Sequence, residues 1–67
     1  MNLTIITKRQ AEIAQMIANG MTAKEVAFNI GISHQGVKNH LRSMKARMRT
    51  STTVNTITEL MRKGVIE

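Results

Sequence analysis

Apolar residues return every three to four positions along four stretches of this chain, and nowhere do they alternate as they would in a strand. The clearest stretch begins at Ser33. Val37, Leu41, Met44 and Met48 share one face, Gln35, Asn39, Arg42 and Ala46 point the other way, and Lys38, His40, Lys45 and Arg47 lie on the flanks. This spacing predicts a helix over 34–48, with Ser33 as its N-cap. Upstream, Ile13, Met16 and Ile17, joined by Ala14 and Gln10, predict a helix over 8–19 whose other face carries Lys8, Glu12, Gln15 and Asn19. Val26, Ala27 and Ile30 predict a short helix over 23–30. Val54, Ile57, Leu60 and Met61 predict a fourth over 53–63. No repeat, linker or low-complexity run interrupts them. The expected fold is an all-α, four-helix domain spanning 1–67, with residues 1–6 as a short lead and Ile6 stapled onto Ala11.

The residues between the apolar stretches sharpen these boundaries. Thr7-Lys8-Arg9-Gln10 and Thr22-Ala23-Lys24-Glu25 both read as capping boxes, and Thr52 with Asn55 three residues on is a third candidate cap. Gly20 and Gly64 stand where a glycine ends a helix, and Arg62 and Lys63 suit the C-terminal turn of the last one. Gly31 followed by Ile32 fits a tight turn whose isoleucine plugs the angle between two helices. Val65 and Ile66 are expected to fold back onto the core. Arg9 falls on the edge of the first apolar face, and an ion pair with Glu25, tying the first two helices together, is the expectation for it. Short helix, glycine turn, long basic helix is the order of a helix-turn-helix.

Charge then narrows the partner. Ten Lys and Arg against four Glu and no Asp give a net charge of +6, which calls for a polyanion. No apolar run approaches the roughly 20 residues that cross a bilayer, and no signal peptide opens the chain. Phe28 is the single aromatic, whereas single-strand and RNA modules stack bases on aromatic rings, so double-stranded DNA is the better target. With no Cys, no paired carboxylates and no Ser/His/Asp set, an enzyme is not expected, nor is a cofactor. His34 and His40 sit about 240° apart around one helix and do not make a metal site. The absence of cysteine fits a reducing, cytoplasmic setting. A chain this short is marginal by itself and must rely on tight helix packing, a partner chain or both.

Five blocks in register, Ile6-Thr7-Lys8-Arg9-Gln10, Gly20-Met21-Thr22-Ala23-Lys24-Glu25-Val26-Ala27, Ile32-Ser33, Val37-Lys38-Asn39-His40-Leu41 and Gly64-Val65-Ile66, resemble the LuxR-type (GerE-like) DNA-binding domain over about residues 4–67. The resemblance implies a third helix in the major groove and a fourth that pairs with its twin on a two-fold-related site. It also implies DNA contact by Lys38 and His40, with His40 a backbone contact rather than a pH switch, and phosphate contact by Thr22 and Lys24. Gln35, Gly36 and Asn39 fall where the family varies and bases are read. Departures are Gln10 where Glu is usual, Gly36 where Thr is common, and Thr53 for a common Arg. Most relatives also carry a receiver or ligand-binding domain. If this chain is whole, as its start at Met1 favours, its control lies in abundance or in a partner.

The expectation is therefore a sequence-specific transcription regulator of a bacterium or phage, acting as a homodimer. Its DNA-binding residues are expected to be Thr22, Lys24, Ser33, His34, Gln35, Gly36, Lys38, Asn39, His40, Arg42 and Lys45. Its pairing residues are expected to be Val54, Ile57, Thr58, Met61 and Val65, although simple core packing is the competing reading for Val54, Ile57 and Leu60. Two alternatives stand beside it. One is a sigma-factor region-4-like domain that docks on RNA polymerase. The other is an interaction module that pairs with, and disables, a full-length LuxR-type regulator.

Overall fold

Thr7, Thr22, Ser33 and Thr52 each open a helix in the computed structural model, which describes residues 5–67. The helices are α1 (Lys8–Ala18), α2 (Ala23–Ile30), α3 (His34–Met48) and α4 (Thr53–Arg62). Every opening uses the same device. The cap hydroxyl accepts the N–H three residues on, from Gln10 at 3.1 Å, Glu25 at 3.1 Å, Gly36 at 2.9 Å and Asn55 at 3.0 Å. Both predicted capping boxes close, with the Thr7 N–H donating to Gln10 Oε1 at 3.1 Å and the Thr22 N–H to Glu25 Oε1 at 2.8 Å. These bonds satisfy N–H groups that a helix leaves free at its start.

The helix ends are equally uniform. Met21, Ile32, Thr50 and Val65 each donate an N–H back to the carbonyl five residues earlier, on Met16, Ala27, Lys45 and Leu60. This closure needs a left-handed residue just before the donor. Gly20, Gly31 and Gly64 supply it at φ +100°, +74° and +76°, but after α3 the residue is Arg49, at φ +57°. An L-residue pays about 1–2 kcal/mol for that conformation. α1 and α4 each end one residue before the sequence-based boundary, at Ala18 and Arg62.

α3 is the central element, touching α1, α2 and α4, while α2 and α4 do not touch each other. The core is Ile6, Ile13, Ala14, Val26, Ala27, Val37, Leu41, Met44, Ile57, Leu60 and Ile66. Ile6 is buried and Ala11, half-buried, packs against the same cluster, in keeping with the expected staple. The first four residues of the predicted lead lie outside the described residues.

Several expectations need correction. Arg9 does not reach Glu25. It pairs with Glu12 one turn along its own helix, at 3.5 Å and half exposed, while Glu25 is engaged in the α2 cap. Val54 is 73% exposed and is not core. Val65 also stays exposed, and only Ile66 folds back. Beside Ile57 and Leu60 the inward position is taken by Thr56, fully buried, because its hydroxyl donates to the Thr52 carbonyl at 2.9 Å and meets the Thr50 hydroxyl at 2.6 Å. The chain end is tied to α1 by Gln15, whose amide accepts the Glu67 N–H at 2.8 Å and donates to the Glu67 carbonyl at 3.4 Å.

Thr56→Val keeps the shape but takes a hydrogen-bond partner from the half-buried Thr50 hydroxyl and from the Thr52 carbonyl. We expect a loss of about 1–2 kcal/mol, read as a lower urea midpoint at unchanged slope. Arg9→Ala, which removes only a half-exposed pair, should stay within about 0.5 kcal/mol. Equal losses at the two positions would contradict this ranking.

Candidate nucleic-acid interface

The apolar seam of α3 fixes what its other face can do. With Val37 and Met44 fully buried and Leu41 nearly so, Gln35, Lys38, Asn39, Arg42, Ser43 and Ala46 are held outward and exposed. Gln35 and Asn39 lie one turn apart, and the Gln35 Nε2 donates to Asn39 Oδ1 at 3.1 Å. Each amide therefore steadies the other. The Gln35 oxygen and the Asn39 N–H₂ stay available, an acceptor and a donor of the kind that read base edges in the major groove.

Lys38, Arg42 and Lys45 follow at i, i+4 and i+7 and form a cationic stripe beside these amides. With Leu41, and with Thr53 from the first turn of α4, they line one shallow groove. No residue of α3 is acidic, so nothing on the helix opposes the stripe. Backbone N–H groups at a helix start favour an anion, and Thr53 lies in such a turn. Phosphate contacts of this kind position a protein on DNA, whereas amides at base edges carry sequence information.

The start of α3 is shaped by its cap. Ser33 is exposed; its oxygen accepts the Gly36 N–H, leaving its own O–H to donate outward. His34 is exposed and His40 half-buried. Gly36 is half-buried, and a Cβ there would lie 3.2 Å from Ser33 Oγ and 3.5 Å from Ile32 Cδ1. A side chain there would crowd the Ser33 oxygen by a few tenths of an ångström and meet Ile32 at ordinary contact distance. Thr22 and Lys24, at the start of α2, are exposed, with the Thr22 oxygen holding its own cap.

The four residues expected to pair copies besides Ile57 line or border one surface. Ile17, Ala18, Thr53, Val54, Ile57, Thr58 and Met61 line a groove between α1 and α4. Val54, Thr58 and Met61 stand exposed along its α4 side, and Val65 is exposed just beyond the helix end. Ile57 is only 9% exposed and belongs to the core, so it forms the floor rather than the contact.

A short α2, a glycine turn and an α3 with polar amides between cations define a helix-turn-helix DNA-binding domain. The family description "Bacterial regulatory proteins, luxR family" matches residues 4–63, and the chain belongs to this GerE/LuxR family. Domains of the family are DNA-binding transcription regulators and not enzymes. The chain is similar to the transcriptional regulatory protein YdfI of Bacillus subtilis (strain 168), at 29% identity over 65 residues, covering 97% of this chain but 30% of YdfI's length. It is similar to the spore germination protein GerE of the same organism, at 29% identity over 63 residues, covering 94% of this chain and 85% of GerE. The solved structure of the transcription factor GerE superposes with a TM-score of 0.93 at 26% identity, over 97% of each chain.

Ser33 and Gln35 separate folding from recognition. Ser33→Ala should cost about 1 kcal/mol through the lost cap, lowering Tm by about 4–8 °C for a domain of this size. Gln35→Ala, at an exposed position, should leave Tm within a degree or two. Thermal melts of both variants check this, and a drop at Gln35 matching that at Ser33 would mean the amide pair holds the helix rather than a ligand.

Proposed function

We propose that this chain is a sequence-specific, double-stranded DNA-binding regulator that lays α3 in the major groove and pairs with a second copy through α4. The observation that carries the reading is the outward face of α3, with two mutually braced amides and an acid-free row of Lys38, Arg42 and Lys45 beside them. Gln35 and Asn39 read base edges. Lys38, Arg42 and Lys45, with Ser33, His34 and His40 around the same helix and Thr22 and Lys24 at the start of α2, meet phosphates and flanking edges. Gly36, in the first turn of α3, leaves the backbone open to close approach by DNA.

Selection from a random duplex pool at two salt concentrations tests the division of labour. Wild type should enrich a defined motif. Lys38→Ala should weaken binding to every sequence and lower the salt slope by about 1. Asn39→Ala should instead change which sequence is enriched, at a cost of about 1–3 kcal/mol on the preferred one. Identical losses on selected and random DNA for both variants would defeat the assignment.

Pairing through α4 is supported by Val54, Thr58 and Met61 standing exposed on successive turns of one stripe. The domain measures 30 × 20 × 19 Å. If the pair presents both third helices to one DNA face, the half-sites lie about one helical turn, roughly 34 Å, apart. The enriched motif should then be two-fold symmetric. The double variant Val54→Asp, Met61→Asp should sediment as a folded monomer and bind half of that motif. A wild-type monomer that selects an asymmetric site would exclude the dimer while leaving DNA binding intact.

A further inference from the structure

Phe28 is 91% exposed, the most exposed large apolar side chain among the described residues and the chain's only aromatic. It stands on the face of α2 opposite the buried Val26 and Ala27, with Lys24, Glu25 and Asn29 around it. These four and Met21, just ahead of the helix cap, line one shallow concavity. α2 and α4 share no contact, and this surface has no lining residue in common with the α4 groove. Neither DNA reading nor α4 pairing uses Phe28.

We propose that this face of α2 takes a second copy of the chain, in an antiparallel two-fold contact that seats each Phe28 against Met21 of its twin. Register and charge both favour that occupant. A two-fold contact requires that if residue i meets residue j, then j meets i. Met21, half-buried ahead of the helix, Lys24, Glu25 and Phe28 line the same concavity, and a two-fold axis through it that sets 28 against 21 also brings each Lys24 toward the twin's Glu25. A ring against a thioether is then flanked by two opposite-charge pairs. A uniformly acidic or basic partner would leave one of those two charges opposed by its like.

Neither charge is neutralised within the chain. Among the described residues the ion pairs are Arg9–Glu12 and Glu59–Arg62, and neither Lys24 nor Glu25 belongs to one. Glu25 spends Oε1 on the Thr22 N–H but keeps its negative charge. On a chain of net charge +6, a locally neutral apolar patch is where two copies approach with least repulsion. One ring and one thioether per side fall well short of the roughly 800 Å² per partner of a stable interface, so the contact is weak and needs high local concentration. A chain with both this contact and the α4 contact can build assemblies larger than a dimer.

Lys24 is also a candidate phosphate contact, so the test is made without DNA and its outcome does not depend on the function proposed above. The chain has no cysteine, which leaves single-cysteine variants clean. Met21→Cys and Phe28→Cys chains are mixed at millimolar concentration in a glutathione redox buffer, and disulfide-linked pairs are quantified by mass. Circular dichroism shows that each variant is folded. The mixed 21–28 product should exceed a Ser43→Cys with Phe28→Cys control several-fold, Ser43 being an exposed position on α3. Adding Lys24→Glu to both chains should reduce that product several-fold, since like charges then meet across the axis. A mixed product no more abundant than the control, or a yield indifferent to Lys24→Glu, would overturn the proposal.

Discussion

Burial of one seam on α3 is the interaction on which the rest of this structure depends. Val37, Leu41 and Met44 sit at the meeting point of three other helices, and each contributes about 1.5–3 kcal/mol by leaving water. For a domain whose whole stability is of order 5–15 kcal/mol, those three side chains are a large share of it. They also set the rotation of α3 about its own axis. Were the seam to slip by one residue, about 100° of turn, Gln35 and Asn39 would leave the outward face. The same packing that keeps the chain folded therefore sets which side chains α3 presents to solvent. It also allows α3 to carry a long acid-free cationic face, since the apolar face alone holds it in place.

What could be read from the amino-acid sequence was what is local. Four hydroxyl caps, two complete capping boxes and three left-handed glycines all act within five or six residues, so residue type and spacing suffice to find them. The outward placement of Gln35, Lys38, Asn39 and Arg42 was legible for the same reason, because a long helix with a clear apolar seam has only one opposite face. Gly36 shows the limit. Its position was plain, but that its absent Cβ points at Ser33 and Ile32 depends on how the turn folds.

What could not be read involves distance or competition. Arg9 lies near enough in sequence to suggest Glu25, but Glu12 is one helical turn away and Glu25 is already drawn to its own cap. On α4, hydrophobicity favoured Val54 as an inward residue, yet the helix turns Thr56 inward instead. The buried threonine is tolerated because the Thr52 carbonyl and the Thr50 hydroxyl satisfy it. That rotation is what exposes Val54 and Met61 along an apparent core stripe. The Gln15–Glu67 bonds span fifty-two residues and leave no local signal at all.

Arg49 shows how stability and charge are traded at one residue. Three of the four helix ends use glycine, and the fourth, at the end of the basic helix, does not. A glycine there would relieve the left-handed strain of about 1–2 kcal/mol. It would also widen the unfolded ensemble, at about 0.5–1 kcal/mol, and remove a cation from the negative end of the α3 dipole, worth about 0.3–1 kcal/mol. These terms nearly cancel, so folding alone scarcely selects between the two residues. What remains is the charge itself. Arg49 extends the positive surface of α3 past its last turn, beside Arg47 and Lys63, where Arg49 and its neighbours line a further shallow depression. An arginine where the other helix ends use glycine suits a surface that attracts a polyanion, since screened attraction over about 10 Å acts even where no direct contact forms.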